Sequence, residues 1–352
     1  MSKYGIVTFM DEISKKAGGY FVISIDFELF WGMFDKATLS TYGDRVTGER
    51  TAIPRMLEMF SDYGIHATWA TVGMLMARNK KELISLLPPE HLRPRYSDTR
   101  MSAYHYLATA KIGESEMTDI FHFGNDLVQK IIQTPYQELG NHTFSHFYCI
   151  DGRHNEPSVF EADLDAHARV SATYNIQTTS IVFPRNQTSD QSLRTCAKKG
   201  ILAYRGTESH PLYTPREDAK QSLPMRLIRL VDHYINISGY HTYALPKYIS
   251  GRPINIPSSR FFRPWSKTLS FLEALKVRRI TQAMTHAAKR GEVFHLWWHP
   301  HNFGINQVEN FTNLKKVIEH YLILKKEYGM ESVSMQELGE RCIEAHRAQA
   351  KS

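Results

Sequence analysis

Residues 20–30 read YFVISIDFELF, a β-branched and aromatic run that follows the Gly18–Gly19 break and predicts a buried strand. Alternation along it sets Val22, Ser24, Asp26 and Glu28 on one face and Ile23, Ile25 and Phe27 on the other, so two carboxylates point the same way near its C-terminal end. Thr47–Tyr63 (TGERTAIPRMLEMFSDY) then carries apolar residues at helical spacing, with Gly64 as a stop, and Ile65–Val72 (IHATWATV) is a second strand. Strand, helix, strand is the building block of parallel α/β folds.

Working outward, helices are expected at Met74–Leu87, Asn125–Thr134, Ser158–Tyr174, Gln191–Lys199, Leu223–Ile235, Thr268–Arg290 and Phe311–Tyr328, and strands at Ser180–Phe183, Ile201–Tyr204, Val293–Trp298 and Ser332–Met335. Polar residues cluster just past strand ends: His142 and His146, Pro184-Arg185-Asn186, Arg205-Gly206, and His299-Pro300-His301. That is where α/β barrels and open α/β sheets place their sites. Two stretches without a clean period, about 88–126 and 207–265, read as long excursions, the first as a lid or binding loop. The second contains a basic, aromatic patch, Arg260-Phe261-Phe262-Arg263. With no repeat and no composition shift, residues 1–352 form one domain with a core of about 20–335.

The bulk properties exclude several classes. A 42% hydrophobic content supports a large core, and 43 basic residues are scattered against 36 acidic ones, so the net charge of +7 is no nucleic-acid footprint. It suits a surface that attracts anionic, phosphate-bearing ligands. Cys149, Cys196 and Cys342 are odd in number and lack metal-type spacing. The start, MSKYGIVTFMDEISKKAGGY, has no sustained apolar stretch, and no window approaches the roughly 18 apolar residues of a spanning helix. A cytoplasmic location is the expectation.

The chemistry converges on Gly140–Tyr148, GNHTFSHFY. In a helical turn His142 and His146 would share one face and could share one metal ion. With 17 histidines, chance supplies about one H-x-x-x-H pair, so the spacing gains weight only from its company. Upstream stand Asp26 and Glu28; downstream lies FHLWWHPHNFG, residues 294–304. Two imidazoles and a carboxylate leave an open position on a divalent ion, a second carboxylate is suited to take a proton from water, and a histidine to return one to a leaving amine.

The ordered set Ile25-Asp26-Phe27-Glu28, His142-Thr143-Phe144-Ser145-His146, Phe183-Pro184-Arg185 and Leu296-Trp297-Trp298-His299 resembles the polysaccharide deacetylases, the NodB-homology group of carbohydrate esterase family 4. The resemblance implies a distorted (β/α) barrel and metal-assisted hydrolysis of an acetyl group, in an enzyme acting on carbon–nitrogen bonds. It implies Asp26 as general base, Glu28, His142 and His146 as metal ligands, Arg185 as the residue orienting the base and His299 as general acid. Arg205, Trp298 and His301 are the candidate substrate contacts, and His301 rivals His299 as acid. The family's adjacent aspartates are here separated by Phe27, so which acid binds metal stays open, and Asn186-Gln187 depart from its third motif. Zinc is the expected ion, with cobalt, nickel or manganese as alternatives. The expected substrate is an N-acetylated sugar on a nucleotide or lipid-linked precursor of an O-antigen or capsule, enclosed by the two excursions. Hydrolysis of another C–N bond, in a formamide or cyclic amide, and an inactive carbohydrate-binding barrel are the competing readings.

Overall fold

The computed structural model describes residues 18–152, 155–214 and 223–351; most of the polar leader, residues 1–17, lies outside them. Strand β1 (Tyr20–Phe27) leads through a 3-10 turn (Leu29–Gly32) to α1 (Leu39–Tyr63), β2 (Ala67–Thr71), α2 (Gly73–Met76), α3 (Lys80–Leu86) and α4 (Ala103–Thr109). Next come α5 (Asn125–Gln133), β3 (Gln137–Asn141), α6 (Pro157–Ala172), β4 (Ser180–Ile181), α7 (Asp190–Lys198) and β5 (Ala203–Tyr204). The chain ends with α8 (Leu223–Asp232), β6 (Ile254–Asn255), β7 (Arg260–Phe261), α9 (Glu273–Arg290), β8 (Val293–Trp298), α10 (Gln307–Tyr328), β9 (Glu331–Val333) and α11 (Met335–Lys351).

The strands form one parallel sheet ordered β6-β5-β4-β3-β2-β1-β8-β7, with β9 pairing the start of β1. Its two ends are bridged by residues 256–259: the Ser258 N–H donates to Gly206 O and the Ser259 N–H to His295 O. The sheet therefore curls into the expected distorted α/β barrel and closes on a connecting segment.

The alternation read in β1 sorts the core. Phe21, Ile23, Ile25 and Phe27 face the helices, packed in one cluster with Met56 and Phe60 of α1, Met284 of α9 and Leu314 of α10. Each such side chain contributes about 1.5–3 kcal/mol on full burial. Val22 faces the inside of the curl, where Val182, Ala203, Val293 and Val333 meet Met335 and Leu338 of α11, an apolar plug at the strands' N-terminal end. Two residues further on, Ser24 and Asp26 share that inner face, and the interior turns polar. The plug and the polar floor are consecutive turns of one parity.

Several boundaries move. β1 ends at Phe27, so Glu28 lies just beyond the strand, and α1 begins eight residues before Thr47. Residues 40–44 (STYGD) are poor helix formers; buried Gly43 and Val46, with a Thr38–Thr41 capping box, extend the helix. The excursion at 88–126 is no lid over a cavity. Ala103, Tyr104, Ile112 and Phe123 join the main core, and His122 O accepts the Trp31 indole N–H at 2.8 Å, bracing the turn after β1.

Two histidines in the interior carry a pH consequence. His167 of α6 donates from Nε2 to Thr71 O at 3.0 Å, and burial pushes its pKa down to about 4. His295 of β8 lies against the Ile256 carbonyl and the Ser24 hydroxyl, and burial, then the field of Arg205, pushes it down to about 3. Below the ordinary pKa of about 6.5 the unfolded chain binds these protons and the folded chain does not, so stability is full above that pH and falls as pH drops through the window toward 4. The midpoint of urea unfolding should be lower at pH 5 than at pH 7.5, and His167→Gln should flatten that dependence; an equal midpoint at both pH values refutes the assignment.

Candidate metal centre and active site

The site is assembled at the C-terminal ends of β1, β3, β5 and β8. Past β1 the backbone bends sharply, with Leu29 at φ 47°, and turns the Glu28 side chain inward, where it is 4% exposed. Gly32 makes room for it: a Cβ there would collide with the Glu28 carboxylate.

His142 and His146 do not share a helical turn. They lie on an irregular loop after β3 in which Thr143 (φ 61°) and His146 (φ 55°) are both left-handed. The residues between them build that loop. Thr143 Oγ1 accepts the Phe147 N–H at 2.7 Å, and Asp163 of α6 accepts the N–H of Phe144 at 2.7 Å, the N–H of Ser145 at 3.2 Å and the Ser145 hydroxyl. Burial raises the Asp163 carboxyl to about 6 even so. Phe144 closes the underside against Gly73.

The two rings nevertheless converge. His142 Nε2 lies 2.9 Å and His146 Nε2 3.1 Å from the same oxygen, Glu28 Oε1. His142 Nδ1 is 2.8 Å from the Val182 carbonyl, which can only accept, so Nδ1 carries a proton and Nε2 is the atom that faces the carboxylate. Two bare acceptors this close in a buried site repel, so a proton or a metal ion lies between them. A divalent ion meets that demand with a Glu-His-His donor set, whose ligand atoms all lie within 4.8 Å of one another. The His146 Nδ1 is in turn held by the Tyr148 hydroxyl at 3.0 Å. Burial pushes Glu28 up, but the imidazoles of His299, His146 and His142 hold it well below its ordinary value; burial keeps His146 below its own, against the pull of Glu28.

Asp26 has a different companion. Arg205 forks onto it, Nη1 to Oδ1 at 2.6 Å and Nη2 to Oδ2 at 2.7 Å, with both side chains almost fully buried. Burial would raise Asp26, and Arg205 with His142 and His299 brings it below its ordinary value instead. Asn186 Oδ1 and Ser24 Oγ accept further Arg205 N–H groups, and the Trp297 ring stacks under the guanidinium at 4.2 Å. The sequence assigned that guanidinium to Arg185 and made Arg205 a substrate contact. Arg185, itself left-handed at φ 55°, pairs with Asp35, lies 3.6 Å from Asp151 and covers the Tyr148 ring at 4.1 Å. Arg205 is spent on Asp26.

Trp298 is also corrected. It points to the helix side of β8, packed on Phe60, Phe262 and Phe303, because its parity is opposite to that of His295 and Trp297. Trp297 takes its place in the pocket, which has about 320 Å³ and is lined by Asp26, Glu28, Met33, Lys36, His146, Arg185, Asn186, Phe261, His299 and His301 among others. No residue of the first excursion lines it, so the two excursions do not jointly enclose the cavity. Of the Arg260–Arg263 patch, Arg260 is buried on Asp232 at 2.6 Å, and only Phe261 of the four reaches the pocket.

His299 Nε2 stands 3.6 Å from Glu28 Oε1 and 3.7 Å from Asp26 Oδ2 and is partly exposed. His301 stacks on it at 4.8 Å, is buried, and is pushed by burial and then by His299 down to about 3. Asp163, Tyr148, Asp35, Asn186 and Trp297 were not anticipated as site residues. Strand parity in β8 could have found Trp297; the others are tied to the site only by contacts across the fold.

Residues 33–204 match the family model described as polysaccharide deacetylase, a span that includes the His pair and ends one residue short of Arg205. No curated protein matches the chain. Among solved structures, the fold is similar to one described as a polysaccharide deacetylase from Mycobacterium smegmatis, with TM-score 0.59 and 11% identity over 95% of this chain and 92% of that one. It is similar also to one so described from Pseudomonas aeruginosa PAO1 and to Puue allantoinase, each with TM-score 0.53 and 10% identity over 92% of this chain and 90% of the other. At these identities the likeness is one of fold.

The Asp26–Arg205 pair yields a stability test. Arg205→Leu leaves a buried carboxylate unpaired and should cost about 3–5 kcal/mol in urea unfolding, while the double change Asp26→Leu with Arg205→Leu should recover much of it. A single variant as stable as the parent refutes the pairing.

Proposed function

We propose, from the match of residues 33–204 to the polysaccharide deacetylases, a family of amide-bond hydrolases, that the chain is a metal-dependent deacetylase. Its substrate is an N-acetylated sugar on a phosphate-bearing precursor, nucleotide or lipid-linked, of a surface polysaccharide such as an O-antigen or capsule, handled in the cytoplasm. The observation that carries the reading is the meeting of two imidazole Nε2 atoms on one oxygen of Glu28, with Asp26 and His299 alongside.

In this reading Glu28, His142 and His146 hold the ion, zinc by ligand type, with cobalt, nickel or manganese suited to the same donors. When bound, it supplies Lewis acidity to a water and to the amide carbonyl. Asp26 takes the proton of the attacking water. Arg205 fixes the direction of that carboxylate and keeps it ionised, at some loss of basicity, so position is the larger part of its service. As water oxygen bonds to the carbonyl carbon the C–N bond breaks, and the leaving nitrogen takes a proton from His299. His301, held neutral by burial, packs His299 in place and lacks the charge to act as its rival. The Trp297 and Phe261 rings offer apolar faces to a sugar, and exposed Lys36 offers a cation to its phosphate.

The fold shared with an allantoinase supports carrying one other reading, hydrolysis of a formamide or cyclic amide by the same proton transfers. The released product separates the two. Acetate release is expected from UDP-N-acetyl sugars or lipid-linked precursors; activity confined to chitin or peptidoglycan removes the precursor reading, and formate or a ring-opened product replaces the deacetylase. Asp26→Asn should lower kcat by about 10²–10⁴-fold with metal retained, whereas Glu28→Gln should lose metal on dialysis. Exchanged phenotypes would reverse the two acids, and a protein that takes up none of the four metals is no metalloenzyme.

A further inference from the structure

Helix α8 and the residues just past its end expose an apolar surface that the proposed chemistry does not use. Leu227, Ile228 and Val231 recur at helical spacing on the outer face of α8, Leu227 being 61% exposed, and Ile235 and Ile237 continue the line past its end. Phe271, 77% exposed, and Leu275 are further apolar residues in water, on the segment whose Arg263 side chain hydrogen-bonds Tyr234. The five large apolar side chains exposed between Leu227 and Ile237 are already far more than the scattered exposure ordinary on a protein surface.

The surface is built, not frayed. On its inner side Asp232 takes Arg260 at 2.6 Å, the Ile237 N–H at 3.0 Å and the Ser238 N–H at 2.9 Å, and the Arg229 Nε–H donates to Leu212 O at 2.7 Å. Its charge is one-sided. Residues 223–237 and 263–279 hold seven basic side chains against two acidic ones. Both acids are tied up internally, Asp232 on Arg260 and Glu273 on Lys276 at 2.6 Å, so the exposed charges Arg226, Lys267 and Arg278 are all positive.

An apolar ridge with a basic border matches an anionic lipid bilayer: the aliphatic residues enter the headgroup boundary while the cations meet lipid phosphates. A hydrophobic protein partner would not require that border. The ridge also adjoins the pocket. His233, at the end of α8, packs edge-on against Phe261 at 6.0 Å, and Phe261 packs on Trp297 at 4.7 Å and lines the cavity.

We propose that this face docks the protein on an anionic membrane surface and presents the pocket to a sugar carried on a lipid. The proposal rests on the deacetylase reading and selects the lipid-linked acceptor within it. The full chain is to be sedimented with vesicles of phosphatidylcholine alone and of phosphatidylcholine with phosphatidylglycerol. Binding to the mixed vesicles, weakened by salt, is expected. The triple change Leu227→Ser, Ile228→Ser, Val231→Ser should lower it by about tenfold or more, and Arg226→Glu with Lys267→Glu should abolish the preference for the anionic mixture. Both variants should stay folded by circular dichroism and keep their turnover of a small soluble acetamido sugar. Absence of binding to either vesicle, binding untouched by both variants, or a dimer in light scattering that the triple variant dissolves would overturn the proposal, the last by making a second copy the occupant. Vesicle binding without amide hydrolysis of any substrate would instead sink the deacetylase reading and leave the docking surface standing.

Discussion

Two buried carboxylates two residues apart, at the mouth of the curled sheet, are the constraint the rest of this molecule answers. Asp26 and Glu28 are each almost fully buried, and an unpaired charge there would cost several kcal/mol. The fold resolves them differently. Asp26 receives a guanidinium in bidentate contact from the end of β5, and Glu28 receives two imidazoles from the loop after β3, neither of which needs to carry a full charge. The first is neutralised within the chain. The second is left with a Glu-His-His donor set that could hold a metal ion, and this difference is what makes one acid a fixed base and the other a ligand in the proposed mechanism.

Supplying those partners requires strands far apart in sequence to end at the same level. Parallel pairing does this, since each strand delivers its C-terminal residue to one rim of the curled sheet. Inner-face parity then grades the interior from the apolar plug around Val22 and Val333, through Ser24 and His295, to Asp26. Ser24 is the hinge of that gradient: its oxygen meets both Arg205 and His295, tying the strand that carries the acids to the end of β5 and to the interior of β8.

The long excursions do other work than enclosure. Residues 88–126 brace the site from behind, through His122 on Trp31 and the Tyr96 hydroxyl, which accepts the Tyr148 N–H at 3.1 Å beneath the His146 partner. The later excursion gives one ring, Phe261, to the pocket and spends its buried charges, Arg260, Arg279 and Asp232, on holding α8 in position. The helix so held turns Leu227, Ile228 and Val231 outward, away from the core of its own fold.

The sequence by itself determined the parallel α/β architecture, because periods of two and 3.6 residues are local properties that β-branched runs, helical spacing and glycine stops encode directly. It also singled out stretches that the fold brings together, since His142, His146, Asp26, Glu28 and His299 all follow apolar runs and meet at one rim. Only the tertiary structure decided who partners whom. Arg185 and Arg205 both follow strand ends and are indistinguishable in one dimension; Asp35 and Tyr148 draw the first aside, while Asn186 and Trp297 aim the second at Asp26. The H-T-F-S-H spacing fits a helical turn as well as it fits the observed loop, and what chooses the loop is Asp163, seventeen residues beyond His146 on another element. Hydrophobic pattern is written along the chain, but the choice among like charges depends on distances that exist only once the chain has folded.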